Sequence, residues 1–398
     1  MPCWSALSTE DNGRISQEGC WAFLSRVALY EGTWQKSRGN AERGKALLDI
    51  AAKASGKVIA SNTFSLFKPE ALGDSAQKYM FILEDVKSNP AGLQKSANKE
   101  YIFSRRHDEV LAPIGTNITK GSLINVIWVS RKFANMYLCQ DGLPIEKSEM
   151  FDLSKGYDKM DSEFMNRDNR MRYTLARPHD NFWSNNNPRV TWKSDAEDLK
   201  SASIKNYIPD TGTGYHNQKW ASERAVKDKF EGYDYPIIRY AEVLLNYVEA
   251  INELENPYTM EIINGDQVTV ERNTTEIVKY FNLVRHRAGL PGITEADARD
   301  RDEVRDLIKR ERRVEFACEG HRYHDLRRWG NDAMTAYNRP ITGMNVKARS
   351  NDRKSFYTVT QLNDKLTRRT FSYKNYFYPI PKSVLDKNKN LVQNPEWN

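Results

Sequence analysis

No stretch of this chain approaches the ~20 consecutive apolar residues that a bilayer-spanning helix requires. The opening residues, MPCWSALSTEDNGR, hold neither the basic cluster nor the apolar segment of an export signal, so the sequence as written is expected to carry no leader. Cysteine is scarce. Cys3, Cys20, Cys139 and Cys318 show no CxxC and no regular spacing, which excludes a zinc ribbon or a disulfide scaffold and leaves buried free thiols as the expectation. There is no GxSxG, no HExxH and no GxxxxGK[ST], so the common nucleophile, zinc-protease and phosphate-cradling motifs are missing; Gly212 and Gly214 alone are a weak signal. Long blocks of one charge sign are absent too. The net charge is +7, yet 60 basic residues are interleaved with 53 acidic ones, which is the pattern of ion pairing within a fold rather than of a nucleic-acid footprint.

What is present can build a core. At 398 residues, 39% hydrophobic and 11% aromatic, the chain is long enough for one large or two closely joined domains. Ile15–Tyr30 reads as a helix that places Phe23, Val27 and Tyr30 near one face, and Ala41–Ala60 reads as a second, with Ala46, Leu47, Ile50, Ala51 and Ala54 in helical register. Gly19, Ala22 and Ala28 are the small residues that let the two approach as an antiparallel hairpin. Trp4, Trp21 and Trp34 lie on or beside these helices and are expected to pack. We take residues 1–68 as this helical region.

Residues 69–234 have another texture, rich in proline, asparagine and aromatics and without a sustained 3.6-residue period. Asn125–Leu138 reads as a strand and then a helix, and Arg170–Leu175 as a short strand. Long loops in a compact domain usually carry function. A sugar ring presents apolar C–H faces that stack on Trp and Tyr, and hydroxyls that need Asn, Asp or Arg. Phe182, Trp183 and Trp192, with Tyr173, Arg172, Asn181 and Asn185, form the richest such cluster, and Tyr215 with Trp220 a second. Each aromatic has ordinary core packing as its competing reading.

Residues 235–398 return to helix. The stretch from Tyr235 to Leu254 sets Ala241, Leu244, Leu245 and Val248 on one face; Met260–Val270 reads as a hairpin turning at Asn264-Gly265; Glu276–Ala288 follows as a helix stopped by Gly289 and Pro291. Tyr240 and Thr275 stand one tetratricopeptide period apart. A third helix spans about Asp302–Glu319, with Val304, Leu307, Ile308 and Val314 inward and Gly320 as its stop. Arg305–Arg328 holds eight Arg/Lys and five Asp/Glu. Glu311 and Glu315 share a face, and His321, His324 and Asp325 contain ligand chemistry. Glu311, however, continues an apolar stripe, which favours a buried ion pair with Arg327 or Arg328 over catalysis or metal binding.

Five segments carry a resemblance: GRISQEGCWAFLSRVALYEGTW (Gly13–Trp34), RYAEVLLNYVEAINEL (Arg239–Leu254), FNLVRHRAGLPGIT (Phe281–Thr294), IKRERRVEFACEGHRYHDLRRWG (Ile308–Gly330) and YPIPKSVLDKNKNLVQNPEWN (Tyr378–Asn398). In this order and spacing the chain resembles the SusD/RagB family of Bacteroidetes outer-membrane nutrient-binding lipoproteins. The resemblance implies a mainly α fold, in which a tetratricopeptide-like superhelix packs against an irregular loop-rich half with a few short strands and hairpins, and a C-terminal region with an interlocking tail. It implies a surface protein of polysaccharide utilisation that binds an oligosaccharide or other nutrient without catalysis, cofactor, metal or nucleic acid. The implied partner is a SusC-like TonB-dependent transporter, and the implied anchor is a lipidated cysteine in the outer membrane. Cys3 has no apolar segment before it, so a fragment of a longer chain is expected. A glycan-active hydrolase whose acids lie far apart in sequence, and a cytosolic tetratricopeptide adaptor for proteins, are the alternatives.

Overall fold

The structure, a computed structural model, describes residues 1–8, 13–116, 118–119, 127–151, 162–176, 181–182, 190–191, 213–215, 217–222, 229–254, 257–261, 267–344, 359–361 and 369–397. The described residues are mainly helical. Helix α1 (Gln17–Ser37) begins where the Ser16 hydroxyl accepts from the Gly19 amide, and α2 (Ala41–Ala60) runs back along it. The seam is built from small residues. A Cβ on Gly44 would meet the Lys36 amide nitrogen at 2.9 Å, and one on Gly32 would meet Leu48 Cγ at 3.0 Å, so the two backbones nearly touch near the turn. Ala22, Ser25, Ala28 and Leu29 face Leu48, Ala51, Ala52 and Ser55 inside. On α1 this reverses the expected stripe, with Phe23 51% exposed and Val27 also outward, because close helix approach needs small side chains rather than large ones; on α2 Ala51 and Ala54 are inside as expected while Ala46 and Ile50 face outward. Trp4 and Trp21 pack against the main core and Trp34 against a smaller one, as expected.

The middle region contributes short elements: α3 (Ala76–Tyr79), β1 (Tyr101–Arg105), α4 (Arg131–Ala134), α5 (Asn169–Thr174), β2 (Asn181–Phe182) and β3 (Val190–Thr191). Arg170–Leu175 is therefore mostly helix, with Asp168 capping its first turn by accepting from the Arg170 amide, and not the strand expected. Helix is confined to a single turn in the described part of Asn125–Leu138. Tyr235–Arg239 is also not helix. It forms β4, antiparallel to β1 with Tyr101 opposite Arg239 and Arg105 opposite Tyr235. Pro236 and the β-branched Ile237 and Ile238 suit an extended edge better than a helical turn.

Helix proper begins one residue later as α6 (Tyr240–Asn252), every residue of which is buried. The hairpin of β5 (Tyr258–Glu261) and β6 (Gln267–Val270) follows; the Asn264-Gly265 turn lies outside the described residues. Then come α7 (Thr274–Arg287), α8 (Arg301–Glu315), α9 (His321–Arg328), α10 (Asp332–Tyr337), the pair β7 (Thr342–Met344) and β8 (Val359–Gln361), and α11 (Lys382–Lys387). Asn273 caps α7, and Gly289 at φ 76° ends it. Helix α8 stops at Glu315, four residues before the expected end. Cys318 (φ 59°) and Gly320 (φ 83°) both adopt left-handed backbone, which turns the chain into α9. Leu244, Leu245, Val248 and Ile251 of α6 meet Ile277, Phe281 and Val284 of α7 and Val304 and Ile308 of α8 in one core with the α1–α2 hairpin. Of the four thiols, all free, only Cys139 is buried; Cys3 and Cys20 are partly covered and Cys318 is exposed.

Candidate functional site

The middle region is held to the helices by charge. Arg170 of α5 donates to Asp168 at 2.7 Å, to Glu311 at 2.6 Å and to Glu315 at 2.8 Å. Glu315 also takes Arg239 at 2.7 Å and the guanidinium of Arg287, while Glu100, just before β1, takes Arg239 at 2.7 Å and Arg287 at 2.5 Å. Glu319 completes the network with Arg239 and Lys219, each at 2.7 Å. All these side chains are buried. Burial alone would raise the Glu315 carboxyl, but Arg287, Arg239 and Arg170 outweigh it and hold the group well below the usual carboxylate range. The expected partners of Glu311 were Arg327 or Arg328, and the partner found is Arg170, 141 residues away in sequence. Arg328 instead binds Glu249 and Asp325, and Arg327 donates to the Tyr323 hydroxyl. The two histidines do not converge: His321 Nε2 lies 4.0 Å from Glu242, and the His324 ring sits between Tyr30 and Tyr323.

This network fixes α5, and α5 carries two of the residues singled out above. Arg172 is exposed and Tyr173 half-buried, with the guanidinium 5.4 Å from the ring centroid. A second segment is stitched alongside. The Gln218 amide donates to the Thr174 carbonyl at 2.8 Å, and its side chain reaches the carbonyls of Arg172 and Leu175. Arg172 and Tyr173 of the first expected cluster are thus tied to the segment that carries Trp220 of the second, through Gln218 and backbone carbonyls rather than ring faces.

Tyr215 and Trp220 are interior residues, a correction to their expected role as platforms. Tyr215 is 2% exposed; its hydroxyl donates to Glu163 at 2.9 Å and accepts from Arg131, itself buried. Trp220, 6% exposed, donates its indole N–H to the Cys318 carbonyl at 3.2 Å and stacks on Tyr235 with centroids 5.2 Å apart. Tyr235 is the outer ring of that stack, 41% exposed, and was overlooked because Tyr235–Arg239 read as helix. Asn181 and Phe182 form β2, with Asn181 opposite Thr191 and Phe182 opposite Val190. Trp183, Asn185 and Trp192 lie outside the described residues.

The family model for the SusD family matches residues 87–397. The chain belongs to the SusD family. Among curated relatives, the SusD-like protein P38 of Formosa agariphila is 32% identical over 114 residues, 27% of this chain and 19% of that protein, so the aligned stretch spans about a fifth of the relative's length. Two solved structures from Bacteroides fragilis share the fold, each at 22% identity and TM-score 0.65. One is a SusD-like protein matched over 100% of this chain and 68% of its own, the other a SusD-like carbohydrate-binding protein matched over 98% and 68%. Within the SusD-family frame, the charge-dense Ile308–Gly330 block is scaffold: Glu311, Glu315, Glu319, Asp325 and Arg328 are all spent on buried partners.

Proposed function

We propose that this SusD-family chain is a surface nutrient-binding protein that captures an oligosaccharide without breaking bonds, around α5 and the β2–β3 hairpin. The observation that carries the reading is the pairing of exposed Arg172 with half-buried Tyr173 on a helix pinned by buried ion pairs. A fixed planar donor beside an aromatic face is what a sugar ring with equatorial hydroxyls engages, and a pinned element loses little entropy on binding. Carbohydrate binding by a solved relative supports the same reading. On this reading the protein is anchored by lipid at the outer membrane and delivers its ligand to a SusC-like TonB-dependent transporter.

The test is titration calorimetry of the chain against a panel of oligosaccharides, with reducing-end release measured in parallel. Tyr173→Ala and Trp183→Ala are each expected to weaken the best ligand about tenfold, the loss of one stacking contact of ~1.5 kcal/mol, without altering the circular dichroism spectrum. Unchanged affinity in both variants would remove this surface as the site, and turnover would replace the binder with a hydrolase.

A further inference from the structure

The exposed face of α8 carries a line of charges, Glu303, Asp306, Arg310 and Arg313, at i, i+3, i+7 and i+10, so acid lies toward its N-terminal half and base toward its C-terminal half. That face, apart from Arg313, walls a cleft of about 920 Å³, the size of an oligosaccharide pocket. Leu143, Ile293, Leu307 and Leu326 supply apolar floor. At the basic end, Lys132 of α4, Arg322 of α9 and Arg339 after α10 join Arg310 on the lining, and Arg313 stands beside them.

Among the described residues Lys132, Arg310, Arg313, Arg322 and Arg339 make no ion pair, although Asp325 and Asp332 lie close enough to Arg322 to act on its charge. Five buried arginines elsewhere in the fold, Arg170, Arg239, Arg287, Arg312 and Arg328, each meet at least one carboxylate within 3.0 Å. Arg313 and Arg322 are half-buried, yet among the described residues neither guanidinium makes a hydrogen bond or ion pair; Arg313 has only the Phe133 ring, 5.6 Å away. Lys132 and the guanidinium of Arg339 likewise have no ion pair among the described residues. The nearby acids are engaged, Asp332 with Lys309 at 3.0 Å and Asp141 with the Ser148 hydroxyl at 2.6 Å. Burial, followed by the charge of Arg322, pushes Arg313 down to about 9, and Lys132 is lowered by burial and by Arg339, Arg313 and Arg322, so the four cations share one field.

We propose that the basic end of this cleft is an anion subsite, which receives the carboxylate or sulfate of an acidic oligosaccharide while the apolar floor takes the ring. The proposal rests on the glycan-binding reading above and adds to it, apart from the α5 surface, a subsite for charged sugars. Planar guanidiniums matched to an oxyanion, and not tied up in ion pairs among the described residues, are how such a group is selected over a neutral hydroxyl.

The experiment titrates the chain with tetragalacturonate, with a sulfated galactan tetrasaccharide and with a neutral galactan tetrasaccharide. Wild-type protein, an Arg313→Gln/Arg322→Gln variant and an exposed Lys132→Gln/Arg339→Gln variant are compared at fixed ionic strength. One acidic tetrasaccharide should bind at least about tenfold tighter than the neutral one, and either double variant should lose about 10- to 100-fold of that affinity. Equal binding of neutral and acidic sugars, or full affinity in both double variants, overturns the proposal while leaving glycan binding in place. If no sugar binds, the glycan reading falls, and melting in sodium sulfate against sodium chloride decides the subsite. Sulfate-specific stabilisation of the wild type that both variants lack upholds it, and its absence removes it.

Discussion

Arg313 and Glu315 stand two positions apart on α8 and meet opposite surroundings. Glu315 points into three guanidiniums, those of Arg170, Arg239 and Arg287, and every one of those partners comes from a different element. Arg313 pairs with no carboxylate among the described residues and has the Phe133 ring beside it. A buried ion pair contributes little net stability when formed, since desolvation offsets attraction, but removing one member strands the rest. Glu315→Gln keeps the shape and removes the charge, leaving Arg170, Arg239 and Arg287 under-compensated in the interior. It should destabilise the chain by about 3–5 kcal/mol, measured by urea unfolding. Arg313→Gln should cost nothing and melt at or above the wild type in low salt. Equal, small effects at the two positions would mean that the network is not what holds α5 to α8.

At the level of elements, the α1–α2 seam is where packing overrode composition. Gly44→Ala gains helix propensity of about 1 kcal/mol, yet its methyl meets backbone at Lys36 and Gly32, atoms that cannot rotate away. The helices must separate, at a net cost of about 1–3 kcal/mol seen as a lower melting temperature, whereas Ala46→Gly on the exposed face of the same helix should cost about 1 kcal/mol through propensity alone. A stabilising Gly44→Ala would show that the close approach is not required. The same seam explains what could be read beforehand. The bounds of α2 and the position of α7 were legible because propensity and periodicity act locally. The inward face of α1 was not, since Phe23 and Val27 look like core until the partner's small side chains are known. The strand at Tyr235–Arg239 was hidden because its reason is β1, whose paired residues lie 130 or more positions earlier in the chain. Tyr215 and Trp220 were taken for platforms because composition cannot tell a ring that stacks on sugar from one that, like Trp220, packs edge-on to Phe81 and stacks on Tyr233.

Over the whole molecule, two buried ionic clusters join segments that are remote in sequence. One links Glu100, Arg170, Arg239, Arg287 and Glu315; the other links Glu249, Asp325, Arg312 and Arg328, with buried Glu242 paired beside it to the partly exposed Arg26. Both depend on ionised carboxylates, which gives the fold an acid limit. Burial would raise Glu242, but Arg26 and then His321 bring it down to about 2, and Asp325 and Glu315 are held lower than usual in the same way. Because these folded-state values lie below those of the unfolded chain, the stabilisation is fully present above about pH 4.5 and is lost as pH falls toward 2. For Glu242 alone the shift corresponds to about 3 kcal/mol. Burial also lowers His321, so the folded protein resists taking up its proton, and a shallower loss begins as pH drops below about 6.5. Melting temperatures recorded from pH 8 to pH 2 should therefore stay near a plateau, decline gently below 6.5 and fall steeply below 4.5. Glu242→Gln should start from a lower plateau and show a shallower acid limb. A profile in which the wild type and Glu242→Gln fall in parallel would mean that the acid limit is set outside these clusters.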